Sequence, residues 1–458
     1  MLKKIEVTRD TLTMHNPASW WRETWREALV CGNGHMGASF YGGTKVQTIM
    51  ITDGDLWYGG IEEPLPDVHD ALGRMREKMD RGDYQEASWE IVNALKEKGY
   101  RTKLESPLPL ADVKIEITPR RTFREYRRAL NMETGEASCQ WTDAGVLYRC
   151  DGFVSRADDV AVYRIRAQEP VIEANFRTDI HQNPGMPIPG ECGTMVANKK
   201  TGAEDGYLTY QSVNTDGLRY GMAVRITSNG RQKVEYGRIF VEEASEIVLT
   251  IRSFIKESGE GGADRAKAYL GSLEEAYETL FDRHVPLHQA RYHSAGLEFG
   301  GYQDTDNEDL ISQAFAGEQS PELMEKMWKY GRYLFISGTD ENANPFPLYG
   351  LWGGSYDLIW CHNMANENTQ MIYWHSFVGN LAEYHKALFH YYNERMDIYR
   401  TNARNLYGCR GIYMTAGTTP GVSTPNQVVP VIMNWVGAAG WLAQHYCSYA
   451  AYRPEEEE

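Results

Sequence analysis

The sequence predicts a multidomain protein with an antiparallel β part first and an α-helical part second. Three observations support this fold class. Up to about residue 255, short runs rich in Val, Ile and Tyr alternate with Gly, Asn and Asp turn signals, the pattern of a large antiparallel sheet system. After Gly261-Gly262, apolar residues recur instead at spacings of three and four, the period of a helix face. Strands and helices come in blocks, which argues for separate β and α domains and against a βαβ fold.

In chain order, the strand candidates are VQTIMI (46–51), GVLYRCDGFVS (145–155), VAVYRIRA (160–167), YGMAVRIT (220–227) and EIVLTIRSFI (246–255). One helix interrupts them at 71–98, where Leu72, Met75, Met79, Tyr84, Ala87, Ile91 and Leu95 roughly hold a stripe. Residues 263–292 read as helices broken near Pro286, and LMEKMWKYGRYLFIS (323–337) reads as another. The longest helix is predicted to begin near Thr369, on a stripe of Met371, Trp374, Val378, Leu381, His385, Leu388 and Tyr392. A last apolar helix covers 434–450, and PEEEE reads as a solvated tail.

Composition narrows the partners. A chain of 458 residues is long enough for more than one buried core. Its net charge of −16 argues against a nucleic-acid partner, because phosphate binding needs a basic face. No stretch reaches membrane-spanning length and the N-terminus has no apolar signal core, so a cytoplasmic protein with no membrane partner is expected. Seven scattered cysteines, never at C-x-x-C spacing, exclude a zinc ribbon and argue against a disulfide framework. The 29 tyrosines and 12 tryptophans suit either a Tyr-rich core or partly wet clefts, where such rings bury apolar area and keep a polar handle.

Several motifs invite a cofactor or metal and do not support one. Gly32-Asn33-Gly34-His35-Met36-Gly37 matches a dinucleotide fingerprint as a string. Strand-like residues follow it where a helix would have to meet the pyrophosphate, so a glycine turn between strands is expected. Pro286 lies between His284 and His288 and spoils the helical face a zinc site would use, leaving these and His293 as packing or surface histidines. Asp304-Thr305-Asp306-Asn307-Glu308 lacks the glycine of a calcium loop and reads as an acidic helix N-terminus. No cofactor and no metal are expected.

The most informative stretch is GLWGGSYDLIWCHNMANENTQMIYW (350–374). It sets Asn366 and Asn368 two residues apart ahead of an apolar helix, among Trp352, Trp360 and Trp374. An asparagine there reads as an N-cap. A helix needs one cap residue, however, and two amides spaced by two in an extended segment point to one side, where their carbonyl oxygens can hold a water. Both readings remain open at the level of the residues.

The blocks also resemble a known family, glycoside hydrolase family 95, the inverting α-L-fucosidases and their relatives. WREALVCGNGHMGASFYGG (25–43) and TDGDLWYGG (52–60) resemble its N-terminal signature, and LPLADVKIEI (108–117), with Tyr126 and Leu130, its second block. YGRYLFISGTDENANPFPLYGLW (330–352), NENTQMIYW (366–374), YGCRG (407–411) and GWLAQH (440–445) follow in the family's order. The resemblance implies a β super-sandwich over 1–255, a helical linker over 256–300 and an incomplete (α/α)₆ barrel over 301–458. It implies that Asn366 and Asn368 orient the attacking water, and that Trp352, Trp360, Gln370 and Trp374 contact an oligosaccharide or glycan substrate. The carboxylates acting as general acid and base would lie beyond residue 458, so the chain is expected to be truncated before them and inactive alone.

The sequence also departs from the family. IYMTAGTTP (412–420) replaces a His-His-Asn-x-Asp segment, His375 stands in place of a proline, and Glu367 in place of an apolar residue. As the i+1 neighbour, Glu367 is expected to point away from the side used by the two amides. Two other readings stand beside the hydrolase, a phosphorylase of related barrel type and a non-catalytic carbohydrate-binding remnant. The phosphorylase would need a basic or hydroxyl-rich anion pocket.

Overall fold

A computed structural model describes residues 2–19, 22–257, 261–273, 276–303 and 305–455, with Glu257 described for its backbone alone. Asp304 and the last three residues of the PEEEE tail lie outside the described residues. Contacts group the chain into two compact units. The β unit comprises Met1–Leu56, Leu108–Gly338 and Gly350–Tyr356, and the helical unit comprises Trp57–Pro107, Thr339–Tyr349 and Asp357–Glu458.

The β unit holds two antiparallel sheets. Nine strands run in the order Thr11–Met14, Arg124–Asn131, Glu136–Asp143, Val146–Val154, Ala161–Ala167, Glu246–Glu257, Arg219–Ser228, Tyr207–Val213 and Lys200–Glu204. Seven run in the order Arg231–Glu235, Arg238–Ala244, Ile172–Asp179, Ala111–Ile117, Val46–Asp53, Met36–Phe40 and Leu29–Gly32. Every run expected as a strand is one. Tyr207–Val213 alternates buried and half-buried residues, as a strand with one covered face must. Val146–Val154 is buried at all but one position, as its run of apolar residues implies.

The glycine-rich string forms the hairpin between Leu29–Gly32 and Met36–Phe40. Asn33 Oδ1 accepts the His35 and Met36 N–H groups, and Gly34 turns with φ 98°. No helix follows, so no pyrophosphate cradle forms.

Tyr277–Tyr292 packs its Tyr277 and Leu280 with Phe153, and Phe153 meets Tyr277 edge-on at 5.2 Å. Here the structure departs from expectation, because Pro286 lies inside this helix and does not break it. His284 and His288 therefore do share a face. Their Nε2 atoms each lie 2.9 Å from a backbone carbonyl, of Thr134 and Met132, and burial drives His284 down to about 3. They are neutral packing histidines.

The helical unit differs from the linear division at 255 and 300. Residues 57–107 fold with it, because Tyr100 Oη donates to the Pro425 carbonyl, Val68 N–H to the Asn405 carbonyl and Asn405 Nδ2 to the Leu65 carbonyl. Leu65, Val68, Ile91 and Leu95 share one core with Leu406 and Met433. The helix expected at 71–98 is three helices, Ala71–Asp80, Tyr84–Ser88 and Glu90–Glu97, divided first at Gly82, where φ is 85°. The long helix expected from Thr369 is likewise divided. Asn368–Val378 stops at Gly379-Asn380, where Asn380 takes φ 53°, and a new helix runs His385–Asn393.

Candidate active site

The segment carrying the two asparagines is pinned within the helical unit by a short antiparallel pair. Asn363 lies opposite Thr418, and Met364 opposite Gly417. The Ala365 N–H extends the ladder to the Ala416 carbonyl at 2.7 Å, and Asn426 Nδ2 holds the Gly417 carbonyl at 2.8 Å. Glycine is needed at 417 because a Cβ there would lie 2.6 Å from Cδ2 of His362.

The strand ends at Met364, residues 365–367 turn, and Asn368 is the first residue of its helix. The cap position falls on Glu367, which makes no side-chain capping bond, so neither asparagine serves as the expected N-cap. The alternation argument also fails here, since the chain turns between the two amides. Asn366 is half-buried, and its Oδ1 is buried without a hydrogen-bond partner among the described residues. Asn368 is half-buried, while Glu367 is exposed.

Around this turn lies a layer of buried polar atoms. Asn363 Oδ1, Gln370 Oε1 and the hydroxyls of Thr415, Thr418, Thr419, Tyr391 and Tyr392 likewise have no well-formed hydrogen bond among the described residues. Burial raises the Tyr391 hydroxyl, and Thr418 and Asn363 beside it pull it back; Thr418 and Thr369 do the same for Tyr392. Buried polar atoms are normally paired, and leaving one unpaired costs about 1–3 kcal/mol. Amide oxygens and hydroxyls gathered in this way are equipped to bind water or a hydroxylated ligand.

Gln370 is fully buried and donates from Nε2 to the Ala365 carbonyl at 2.5 Å, tying the helix to the turn that holds Asn366. The nearby histidines are neutral, because burial lowers His362 to about 4, His385 to about 3 and His445 to about 4. His385 bridges Ser376 Oγ at 3.2 Å and His445 Nδ1 at 3.0 Å.

The expected aromatic residues separate. Trp360, with φ 54° and 60 % exposed, and Trp374, 45 % exposed and 6.2 Å from the Trp441 ring, lie in the helical unit with the asparagines. Trp352 belongs to the β unit, is 6 % exposed, and donates its indole N–H to the Cys31 carbonyl at 2.8 Å. Sequence reasoning overlooked Asn363, Thr415, Thr418, Tyr391 and Tyr392. The available signal was the threonine-rich 415–419 and an asparagine three residues before Asn366.

Comparison with known proteins matches the chain in two segments. Residues 12–253 match the Glycosyl hydrolase family 65, N-terminal domain, and residues 276–457 match the Glycosyl hydrolase family 95 catalytic domain. Together with the relatives below, the two matches support a family 95-like glycosyl hydrolase. Asn366 and Asn368 fall inside the family 95 match. "Alpha-L-fucosidase 2" of Arabidopsis thaliana is 25 % identical over 94 % of this chain and 55 % of the plant protein. "Probable alpha-fucosidase A" of Aspergillus oryzae is 22 % identical over 88 % of this chain and 58 % of the fungal one. The chain thus spans about half the length of the curated relatives it matches. Among solved structures, "Putative kojibiose phosphorylase from human microbiome" superposes with a TM-score of 0.63 at 12 % identity, covering 97 % of this chain and 56 % of that one. At that identity the likeness concerns the fold, and it is the fold of antiparallel sheets followed by helices that the family 95-like chain was expected to have.

Proposed function

We propose that this chain carries the water-positioning part of a glycoside hydrolase that cleaves terminal α-L-fucosyl or related L-sugar linkages with inversion. The observation carrying the reading is Asn366, whose buried Oδ1 has no partner among the described residues and stands at the entry to a helix within the family 95 match. The names of the relatives support the sugar class, and the exposed rings of Trp360 and Trp374 suit stacking on a glycan.

The chemistry follows from what an amide can do. Its oxygen accepts a hydrogen bond from water and fixes where the water sits, but it takes up no proton at neutral pH. A carboxylate must therefore remove the proton as the oxocarbenium-like transition state develops, while a second carboxyl protonates the leaving oxygen. In inverting enzymes these carboxyls stand roughly 6.5–9.5 Å apart, leaving room for the water the amides would hold. A phosphorylase would instead need a basic or hydroxyl-rich anion pocket, and the hydroxyls of Thr415, Thr418 and Thr419 supply the second kind but not the first. His362, His385 and His445 are held neutral by burial, and Arg395 is committed to the Tyr391 and Pro420 carbonyls.

The test is hydrolysis of an aryl α-L-fucoside by the natural polypeptide. Asn366→Ala and Asn368→Ala should each lower kcat by ~100-fold, the scale expected for a displaced reactant, with KM nearly unchanged. The first-formed sugar should be the β-anomer by NMR. Unchanged rates would remove the water-positioning role, and an α-anomer first product would remove inversion.

A further inference from the structure

We propose that a cavity in the β unit binds a small amphipathic carboxylate, with its anionic head at Arg128 and its apolar body along the helix Asn307–Phe315. This site is separate from Asn366 and does not depend on the glycosidase reading.

The cavity has a volume of about 720 Å³, within the range of small-ligand pockets. One wall is the edge of the nine-stranded sheet. Leu12 pairs with Leu130 and Met14 with Arg128 across the two outer strands, so the four side chains lie on one face, and all four line the cavity. The opposite wall comes from the helices Asn307–Phe315 and Pro321–Gly338, through Ile311, Phe315, Leu323 and Met327. Three of these are unusually open for apolar side chains, with Ile311 49 %, Met327 61 % and Phe315 90 % exposed. An apolar rim of this kind marks a binding surface more often than chance exposure.

The decisive group is Arg128. It is 4 % exposed, and its Nη1 donates to the Glu27 carbonyl, while its buried Nε has no acceptor among the described residues. The other charged groups lining the cavity are engaged. Arg26 pairs with Glu23, Lys326 with Glu322, Glu27 accepts the Ser19 N–H, and Glu308 accepts the His15 N–H. Arg128 forms no ion pair of its own among the described residues. Burial pulls its pKa down, as expected for a cation removed from water, with Tyr126 and Glu27 opposing the shift. A buried guanidinium lining a cavity whose other charged groups are engaged is complementary to a carboxylate, which it can grip with two parallel N–H bonds. An apolar tail on that carboxylate would cover the Ile311, Phe315 and Met327 rim.

The test titrates dodecanoate and dodecanol, both below micellisation, into the full chain by calorimetry. Dodecanoate should bind at least tenfold more tightly than dodecanol. Arg128→Met, which keeps the stem and removes the charge, should erase that preference. Ile311→Glu, at an exposed position where folding is not at risk, should weaken dodecanoate at least tenfold. Equal affinity for acid and alcohol means apolar adsorption only and overturns the proposal. So does an acid preference that survives Arg128→Met, dodecanoate binding that survives Ile311→Glu, or no binding of either compound.

Discussion

Two buried polar clusters, one in each unit, are built in opposite ways. In the β unit the fully buried Asp151 takes Arg149 Nε at 2.6 Å, Arg166 Nη2 at 2.7 Å and the Ser138 hydroxyl at 2.9 Å, with Arg164 at 3.5 Å. Burial pushes its pKa upward, but the three arginines hold it below the usual carboxylate range. Asp112 is similarly engaged by His181 at 2.8 Å and Lys114 at 2.9 Å. In the helical unit, the layer around Asn363, Asn366 and Thr418 is neutral, and its buried side-chain oxygens have no well-formed hydrogen bond among the described residues. A buried carboxylate ringed by cations holds a fold together, whereas unsatisfied neutral acceptors are left for something that binds.

The largest test of that contrast is Asp151→Ala. Removing it takes the shared carboxylate from three arginines, of which Arg164 keeps Glu246 and Glu278 and Arg149 keeps Glu136, and breaking such a buried network costs about 3–5 kcal/mol. Denaturant unfolding should show a loss of that size. A loss under about 1 kcal/mol would mean the network is not structural.

Acid should separate the units next. His362, His385 and His445 have folded pKa values depressed to about 3–4, against about 6.5 in the unfolded chain. The unfolded state therefore binds more protons below neutrality, so their contribution is present above about pH 6.5 and is lost as pH falls toward 4. In the β unit His284, lowered to about 3, and His288 act in the same sense, but burial raises two carboxyls, Glu136 to about 7 and Asp53 to about 6. Those groups act in the opposite sense, stabilising at low pH and losing that contribution as pH rises through 6–7. Hydrogen exchange between pH 7 and pH 5 should show protection falling earlier in the helical unit. Equal loss in both units would contradict this.

Smaller effects sharpen the site itself. Gly417→Ala drives a Cβ against His362 and should cost about 1–3 kcal/mol by overpacking, with sugar binding reduced because the pairing that carries Asn363 shifts. Thr418→Val should lie within about 1 kcal/mol of neutral, since a hydroxyl with no well-formed hydrogen bond among the described residues is replaced by a methyl, while still weakening sugar binding. A loss of more than about 2 kcal/mol in thermal unfolding would show Thr418 to be a paired structural group.

Much of the fold was legible because burial writes itself locally into strands. Val46–Asp53 and Glu246–Glu257 read directly from their Val and Ile runs. Arg124–Asn131 and Glu136–Asp143 did not, being rich in charged and polar residues; their place in the sheet comes from the partners on either side. The stripe of Met371, Trp374 and Val378 was visible, but those residues are 52, 45 and 77 % exposed, and the buried face is Thr369, Gln370, Tyr373, Ser376 and Phe377. Periodicity shows that a face is apolar, not which face is covered. Asn366 was legible because its neighbours are local in sequence. Thr415–Thr419 were not, since they arrive through strand pairing across some fifty residues, and register over that distance is set by tertiary structure.

The central claim, that Asn366 is reserved for water or sugar, is tested most directly by a crystal structure of the chain soaked with L-fucose. The account predicts Asn366 Oδ1 within hydrogen-bonding distance of an ordered water or a sugar hydroxyl, with Asn368 on the same water. An Asn366 amide bonded only to protein groups, with the sugar absent or bound elsewhere, would contradict it.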